Sequence, residues 1–151
     1  MMMKDINVRI LIADDDIDDR ILLDDAFSET GLNHSLTFVE DGEKLLRFLK
    51  REDEYKDLEM DPLPDLIILD LNMPKVDGRT ALTQIKKDSN LNHIPVVVMT
   101  TSKAEEDIRK SYELGVNSFI SKPILFEDLV RIVEVIRIYW LEVVALPGLR
   151  Q

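Results

Sequence analysis

The chain has 151 residues and no cysteine, so it is long enough to bury one core and excludes disulfides, thiolate metal sites and cysteine nucleophiles. Its net charge of −11 and its scattered basic residues argue against a nucleic-acid surface, which needs clustered positive charge. The sequence shows no secretory signal pattern and no charge-free stretch of about 18 residues. We therefore expect one cytoplasmic domain that neither spans a membrane nor binds nucleic acid.

Five short apolar runs alternate with helical patterns along the chain. Runs that are apolar throughout, as at residues 66–69 and 96–99, suit strands that are buried on both faces of a parallel sheet. The predicted strands cover residues 8–13, 36–39, 66–69, 96–99 and 118–121.

The segments between the predicted strands carry helix signals. The first helix is predicted over residues 17–30, where Gly31 stops it, and Ser102 with Glu105 matches a capping box at the start of the helix after the fourth strand. Residues 50–64 are charged and flanked by proline, which predicts an exposed loop. A β-α unit repeated five times predicts a doubly wound α/β sandwich in three layers, since crossover connections are right-handed.

Polar side chains follow several predicted strands directly, at the edge of the sheet where ligands bind in doubly wound folds. The residues at these strand ends are Asp14, Asp15, Asp16, Asp70, Thr100 and Lys122. Two carboxylates ~4 Å apart repel by roughly 4 kcal/mol at an effective dielectric constant of about 20, so this acidic cluster needs a positive partner. Mg²⁺ prefers hard oxygen ligands, and lysine and threonine suit phosphoryl oxygens. The sequence therefore predicts a Mg²⁺ site for phosphoryl chemistry.

Four segments resemble the signature motifs of the response-regulator receiver domain, the phosphoacceptor module of two-component signalling. They read ILIADDD, LIILDLNMPKVDG, VVVMTTS and FISKP, and the resemblance covers about residues 8–141. It implies a flavodoxin-like (βα)5 fold with strand order 2-1-3-4-5, formed by residues 1–151 as a single domain without an output domain. The resemblance also implies that the chain is a phosphoprotein of signal transduction and not an enzyme, since such a domain catalyses only its own phosphorylation and slow dephosphorylation.

The same resemblance implies a role for individual residues. Asp70 is then the phosphoacceptor for a sensor histidine kinase, Thr100 hydrogen-bonds the phosphoryl group, and Lys122 forms an ion pair with it. Thr100 and Phe119 are the switch residues that change the surface formed by the fourth helix, the fifth strand and the fifth helix. The family pattern also implies a cis bond between Lys122 and Pro123.

The metal site follows from the same family pattern. Mg²⁺ is expected to be bound directly by Asp15 and through water by Asp14, with Asp70 and the backbone carbonyl of Asn72 as further ligands. Asp16 has no counterpart among these ligands, and we expect it to cap the first helix.

The C-terminal part of the chain carries an excess of apolar residues. Fourteen of the 18 residues from 129 to 146 are apolar or aromatic, more than one sheet-covering helix needs. We therefore expect a homodimer through a long C-terminal helix and tail, about residues 126–151. The predicted interface residues are Tyr139, Trp140, Leu141, Val143 and Val144. The segment IYWLEVVALP also resembles the tail of single-domain regulators associated with bacterial and cyanobacterial phytochromes, which implies a light-sensing kinase as partner.

Two other functions stay open at this point. A Mg²⁺-dependent phosphatase of the haloacid dehalogenase type also forms an aspartyl phosphate, but it needs a second aspartate as general acid where this chain has Asn72. A binding scaffold that is never phosphorylated does not need the complete set of acidic residues, threonine and lysine.

Overall fold

The predicted sheet of five parallel strands is confirmed by the computed structural model, which describes residues 8–30, 34–143 and 145–147, without the side chains of residues 34 and 141–143. The strands are β1 (Val8–Ala13), β2 (His34–Val39), β3 (Leu66–Leu69), β4 (Val96–Thr100) and β5 (Ser118–Ser121). They lie in the order β2-β1-β3-β4-β5, which is the predicted flavodoxin-like order. In the register, Ile10 of β1 lies between Leu36 and Leu66.

Helices cover both faces of this sheet. Within the described residues they are α1 (Ile17–Ser28), α2 (Gly42–Lys50), α3 (Gly78–Lys87), α4 (Glu105–Glu113) and α5 (Phe126–Ile136). On one face, Phe27 of α1 and Val133 of α5 pack in the cluster that contains Ile12. On the other face, Leu45 of α2 and Leu82 of α3 pack in a second cluster. No helix in this part of the chain is both long and apolar enough to cross a membrane.

The start of α4 differs from the prediction. Ala104 occupies its N-cap position without a side-chain hydrogen bond, so the predicted capping box of Ser102 and Glu105 is wrong. The hydroxyl of Ser102 donates to Asp107 (2.6 Å), and Asp107 forms an ion pair with Arg79 of α3 (2.9 Å). Because this carboxylate binds the serine hydroxyl, the serine does not cap the helix, and α4 is tied to α3 instead.

Two further boundaries differ from the sequence-based expectation. α1 ends at Ser28 because Thr30 donates both its N–H (3.1 Å) and its hydroxyl (2.7 Å) to the carbonyl of Phe27, which closes the last turn early. The predicted loop over residues 50–64 contains a 3₁₀ helix, Asp53–Leu58. This segment covers part of α2, where Tyr55 stacks edge to face on a phenylalanine ring.

Two helices begin with glycines that leave room for the loop after β3. A Cβ atom on Gly42 would lie 1.7 Å from the carbonyl oxygen of Val76, and one on Gly78 would lie 2.4 Å from the carbonyl oxygen of Asp70. Any side chain at these positions would displace backbone atoms. The loop that follows Asp70 is therefore held closely against the starts of α2 and α3.

The C-terminal helix is shorter as an α-helix than predicted. α5 ends at Ile136 and continues as a π-helical segment, Arg137–Val143, whose wider turns shift later side chains around the axis. Trp140 is half-buried against the α1–α5 side of the core and Leu146 is buried there, whereas Tyr139 is exposed. The other predicted interface side chains, Leu141, Val143 and Val144, lie outside the described residues.

Candidate functional site

Backbone hydrogen bonds extend the strand ladders and fix the residues at the carboxyl edge of the sheet. The N–H of Asp14 donates to the last carbonyl of β2 (3.0 Å), and the N–H of Asp70 donates to the carbonyl of Ala13 (3.0 Å). The N–H of Lys122 donates to the carbonyl of Thr100 (2.8 Å). The strand ends that carry Asp14, Asp70, Thr100 and Lys122 therefore lie side by side at one edge of the sheet, as the sequence predicts.

The ammonium group of Lys122 lies among three carboxylates. Its Nζ atom is 2.8 Å from Asp14 Oδ2 and 2.9 Å from Asp70 Oδ2. The third partner is Asp19 Oδ2, at 2.7 Å. The side chains of Lys122, Asp14 and Asp70 are nearly buried, so solvent ions screen these pairs only weakly. Lys122 itself therefore supplies part of the positive charge that the acidic cluster requires.

Sequence reasoning misses the contribution of Asp19. Acidic residues in the first turn of a helix are common because they interact favourably with the helix dipole, and Asp18 beside it is such a residue. Only the packing of α1 against the end of β5 brings the Asp19 carboxylate to Lys122. The sequence contains no pattern that separates these two neighbouring acids.

Both oxygens of the Asp70 carboxylate accept hydrogen bonds. Thr100 is fully buried and donates its hydroxyl to Oδ1 (2.8 Å), and the backbone N–H of Asn72 donates to the same oxygen (3.1 Å). The side-chain amide of Asn72 also donates to the Thr100 hydroxyl oxygen (3.3 Å). Since Lys122 contacts Oδ2, the carboxylate is oriented between a hydroxyl and an ammonium group, both of which stabilise negative charge on oxygen.

Two pKa shifts report the balance of burial and charge in this site. Burial raises the pKa of Asp14, although hydrogen bonds from Lys122 and from the N–H of Asp16 act in the opposite direction. Burial also opposes the charged form of Lys122, but its hydrogen bonds to Asp14, Asp19 and Asp70 outweigh this effect and raise its pKa. Burial therefore outweighs the effect of Lys122 at Asp14, whereas the three carboxylates outweigh burial at Lys122.

Three carboxylates lie close enough together to hold a metal ion. One oxygen from each of Asp14, Asp15 and Asp70 lies within 4.8 Å of the other two. Asp14 and Asp70 are buried, whereas Asp15 is exposed, so an ion could reach the group from solvent. Oxygen ligands of this kind fit a hard divalent cation that keeps several waters. Asp16 does not join them, because its Oδ1 accepts the N–H groups of the first turn of α1 (2.8 and 3.2 Å), which confirms its capping role.

Phe119 lies on β5, the strand next to the one that carries Thr100. Its ring is half-buried and packs against the α2–α3 side of the core. Its backbone N–H donates to the hydroxyl of Tyr112 on α4 (3.1 Å), which links β5 to that helix. The expected cis bond between Lys122 and Pro123 is wrong, since the bond is trans, the form favoured by about 0.5–1 kcal/mol at prolyl bonds.

Known proteins are similar to this chain in sequence and in fold. The family model of the response regulator receiver domain matches residues 10–134. Response regulator Rcp1 from Synechocystis sp. is 42% identical over 139 residues, which are 92% of this chain and 92% of that protein.

Two solved structures match over almost their whole length. The Mn²⁺-bound form of Rcp1 has a TM-score of 0.85 and 41% identity, and the match covers 93% of this chain and 99% of that chain. The phosphorylated cyanobacterial phytochrome response regulator RcpA has a TM-score of 0.87 and 40% identity, with the same coverage. This chain therefore belongs to the response regulator receiver domain family.

Proposed function

We propose that this chain accepts a phosphoryl group on Asp70 from a sensor histidine kinase, in a reaction that requires Mg²⁺. The observation that carries this proposal is the position of the Asp70 carboxylate, which lies between the Thr100 hydroxyl and the Lys122 ammonium. Asp14 and Asp15 lie beside it with oxygens at metal-binding distance.

The reaction transfers a phosphoryl group from a histidine of the kinase to the carboxylate of Asp70. An oxygen of Asp70 attacks the phosphorus of the donor phosphohistidine, the bond between phosphorus and nitrogen breaks, and its electron pair leaves with the histidine ring. Lys122 and Thr100 already contact Asp70 and can pass their hydrogen bonds to oxygens of the arriving phosphoryl group. The proposed switch is a movement of Thr100 toward the phosphoryl group. Phe119 on the neighbouring strand β5 changes position in response and passes the change on to α4.

The proposed metal ligands are the carboxylates of Asp14, Asp15 and Asp70 and the backbone carbonyl of Asn72. A bound Mg²⁺ supplies positive charge that offsets the phosphoryl oxygens and the acidic residues together. The existence of a Mn²⁺-bound form of Rcp1 supports binding of a divalent ion, and both Mn²⁺ and Mg²⁺ prefer oxygen ligands such as those of the acidic cluster.

Intact-mass measurement with a small phosphodonor tests this function. Incubation with acetyl phosphate and Mg²⁺ is expected to add one phosphoryl group to the chain, and chelation of the metal is expected to prevent the addition. The added group should be removed by hydroxylamine, which cleaves acyl phosphates and leaves phosphoserine intact. Label that resists hydroxylamine would contradict an aspartyl phosphate.

We propose a phytochrome-type kinase as the phosphodonor. Support comes from the similarity to RcpA, a phytochrome response regulator, and from the tail segment IYWLEVVALP. Transfer from a phosphorylated phytochrome-type histidine kinase should be faster than transfer from an unrelated histidine kinase at the same concentration. Equal rates from both kinases would remove the basis for the light-sensing partner.

An exposed apolar patch beside Lys122 is the proposed docking site for this donor. It is formed by Leu22 of α1 with Ile124, Leu125 and Phe126, which line a depression that also contains Lys122. Ile124 is 97% exposed although it is a large aliphatic residue. Exposed apolar surface of this kind marks contact with another protein, and a donor bound here would face Asp70.

The variant Ile124→Glu is expected to slow phosphotransfer from the kinase about tenfold or more, because it places a charge in the apolar contact. Labelling by acetyl phosphate should stay at the wild-type rate, since the small donor does not use the patch. Met60→Glu is the matched control, because Met60 is 93% exposed and lies outside the patch. If Ile124→Glu slowed labelling by the kinase and by acetyl phosphate equally, the defect would lie in the reaction at Asp70, and the patch would not be the docking site.

We also propose a homodimer through α5 and the π-helical segment that follows it. A groove of about 330 Å³ on this side is lined by Ile120, Ile132, Val135 and Ile136 together with Asp128 and Arg131. Val135 is 63% exposed, and Tyr139 and Ile138 are also exposed. Each such side chain removed from water contributes roughly 1.5–3 kcal/mol, so several are needed to offset the entropy of association. A two-fold axis places equal patches face to face.

Sedimentation equilibrium tests the dimer with the double variant Val135→Glu, Tyr139→Glu. The wild type is expected to dimerise at micromolar concentration, and the variant is expected to be monomeric because it places charges in the apolar contact. These positions are preferable to Trp140, which packs against the chain's own core. Met60→Glu should dimerise like the wild type. A monomeric wild type, or a folded double variant that still dimerises, would refute this interface.

The two alternative functions receive no support. The family match is to a receiver domain, and Asn72 donates hydrogen bonds to Asp70 and Thr100 and has no acidic proton for a phosphatase reaction. The contacts of both Thr100 and Lys122 with Asp70 also disfavour an unphosphorylated scaffold.

A further inference from the structure

A second site candidate lies toward the amino ends of β1 and β2, away from the phosphoacceptor edge. It is a cavity of about 440 Å³ under the segment between α2 and β3. Its walls are mainly apolar and include Ile10, Phe48, Tyr55, Leu58, Pro62 and Pro64. This volume and this lining are typical of pockets that bind small molecules.

Arg51 is one of the residues that line this cavity, and its side chain keeps one hydrogen-bond donor unpaired within the described residues. Its Nη1 and Nη2 atoms donate to the carbonyls of Phe48 and Pro62, both at 2.9 Å. Its Nε–H is buried and has no partner among the residues that the structure describes. Burial lowers the pKa of Arg51 more than the nearby Asp61 raises it. An anionic group brought by a ligand would offset the charge of this partly buried guanidinium.

Arg51 has a backbone conformation that favours glycine over arginine. Arg51 is the C-cap of α2 and has φ 57° and ψ 46°, in the left-handed region that favours glycine. Its side chain folds back so that the guanidinium carbon lies 4.8 Å from the centre of the Phe48 ring. The arginine is therefore held in an unfavourable backbone conformation with its charged group at the cavity.

We propose that this cavity binds a small aromatic carboxylate, whose ring packs against Phe48 and Tyr55 and whose carboxylate forms an ion pair with the guanidinium of Arg51. The other arginine in the lining, Arg9, already pairs with Asp65 (3.2 Å). Asp61 also lines the cavity and repels further negative charge. The ligand therefore carries one anionic group, and phosphates or nucleotides are disfavoured.

The probe for this site is 2-naphthoate, titrated into the ¹⁵N-labelled protein and followed by NMR. We expect saturable shifts of backbone amides at Ser35, Thr37, Phe48, Arg51 and Tyr55, with little change at Asp70. The neutral analogue 2-naphthylmethanol is expected to bind about tenfold more weakly or worse, because it cannot form the ion pair. Inorganic phosphate should cause no shifts in this group of amides.

The variant Arg51→Gly removes the guanidinium and suits the left-handed backbone, so it is expected to fold. It should bind naphthoate about tenfold more weakly or worse and should no longer distinguish naphthoate from the alcohol. Lys56→Ala is the matched control, since it removes an exposed positive charge from the same segment and does not line the cavity. A second variant, Thr37→Trp, should block the cavity from the β2 side.

Three results would overturn the proposal. They are the absence of saturable binding, equal naphthoate affinity in the wild type and Arg51→Gly, and shifts located only at the α5 groove or the patch around Ile124. Phosphorylation at Asp70 is measured separately by mass, so failure of either proposal does not affect the other.

Discussion

Replacing Asp70 by asparagine is expected to abolish phosphoryl incorporation from a phosphorylated kinase and from acetyl phosphate alike. An amide oxygen is a far weaker nucleophile than a carboxylate, and the change also removes one negative charge from the proposed Mg²⁺ site. We expect the labelling rate to fall at least about a thousandfold, as for the loss of other covalent nucleophiles. Intact mass after incubation with donor and Mg²⁺ measures the effect.

The fold should survive this substitution. The side-chain oxygen of an asparagine can still accept the hydroxyl of Thr100 and the N–H of Asn72, which bind Asp70 Oδ1 in the wild type. Repulsion with Asp14 is also reduced. Asp24→Asn, at an exposed carboxylate on α1, is the matched control and should be labelled like the wild type. Labelling of the Asp70→Asn protein at the wild-type rate would show that another residue is the phosphoacceptor.

The architecture follows from the sequence because one physical pattern dominates it. Strands that are covered on both faces are mostly apolar, so β3 is a run of four apolar residues and β4 has four apolar residues before Thr100, whereas β1 contains one charged residue, Arg9. The residue at the end of each run then lies at the ligand-binding edge, and the sequence indicates Asp14, Asp70 and Thr100 in this way. Lys122 is less distinct, because the strand before it, β5, contains two serines.

The differences from the sequence-based expectation arise where a polar side chain has more than one possible partner. Ser102 could cap α4, but its hydroxyl binds Asp107, whose carboxylate also forms an ion pair with Arg79 of α3. Asp19 looks like an ordinary acid of a first helical turn until α1 packs beside Lys122. Such choices depend on tertiary geometry, so spacing along the chain does not reveal them.

Removing the charge of Lys122 with the variant Lys122→Met is expected to lower the free energy of unfolding by about 3 kcal/mol at neutral pH without divalent ions. The wild-type ammonium contacts Asp14, Asp19 and Asp70, and two of these carboxylates are nearly buried. Methionine fills a similar volume but leaves these charges unpaired. Urea denaturation measures the loss, and Lys103→Met, at an exposed lysine, should show almost none.

The pH dependence of this difference has a definite sign. The pKa of Lys122 is raised in the folded state, so its stabilisation is fully present below the ordinary lysine value of 10.5 and is lost as the pH rises through the folded pKa. Burial raises the pKa of Asp14 above 3.8, and loss of the ammonium should raise it further. As the pH falls, the folded Lys122→Met protein therefore takes up protons before its unfolded form does, which stabilises the fold. The difference in free energy of unfolding between the wild type and the variant should narrow from neutral pH toward about pH 5.

Addition of Mg²⁺ should stabilise Lys122→Met more than it stabilises the wild type, because the variant has lost the cation that offsets the acidic cluster in the absence of metal. This comparison separates the charge of Lys122 from its packing, since a metal ion replaces the charge but not the apolar side-chain stem. A variant as stable as the wild type at neutral pH without Mg²⁺, or a stability gap that widens in acid, would show that Lys122 does not neutralise Asp14 and Asp70.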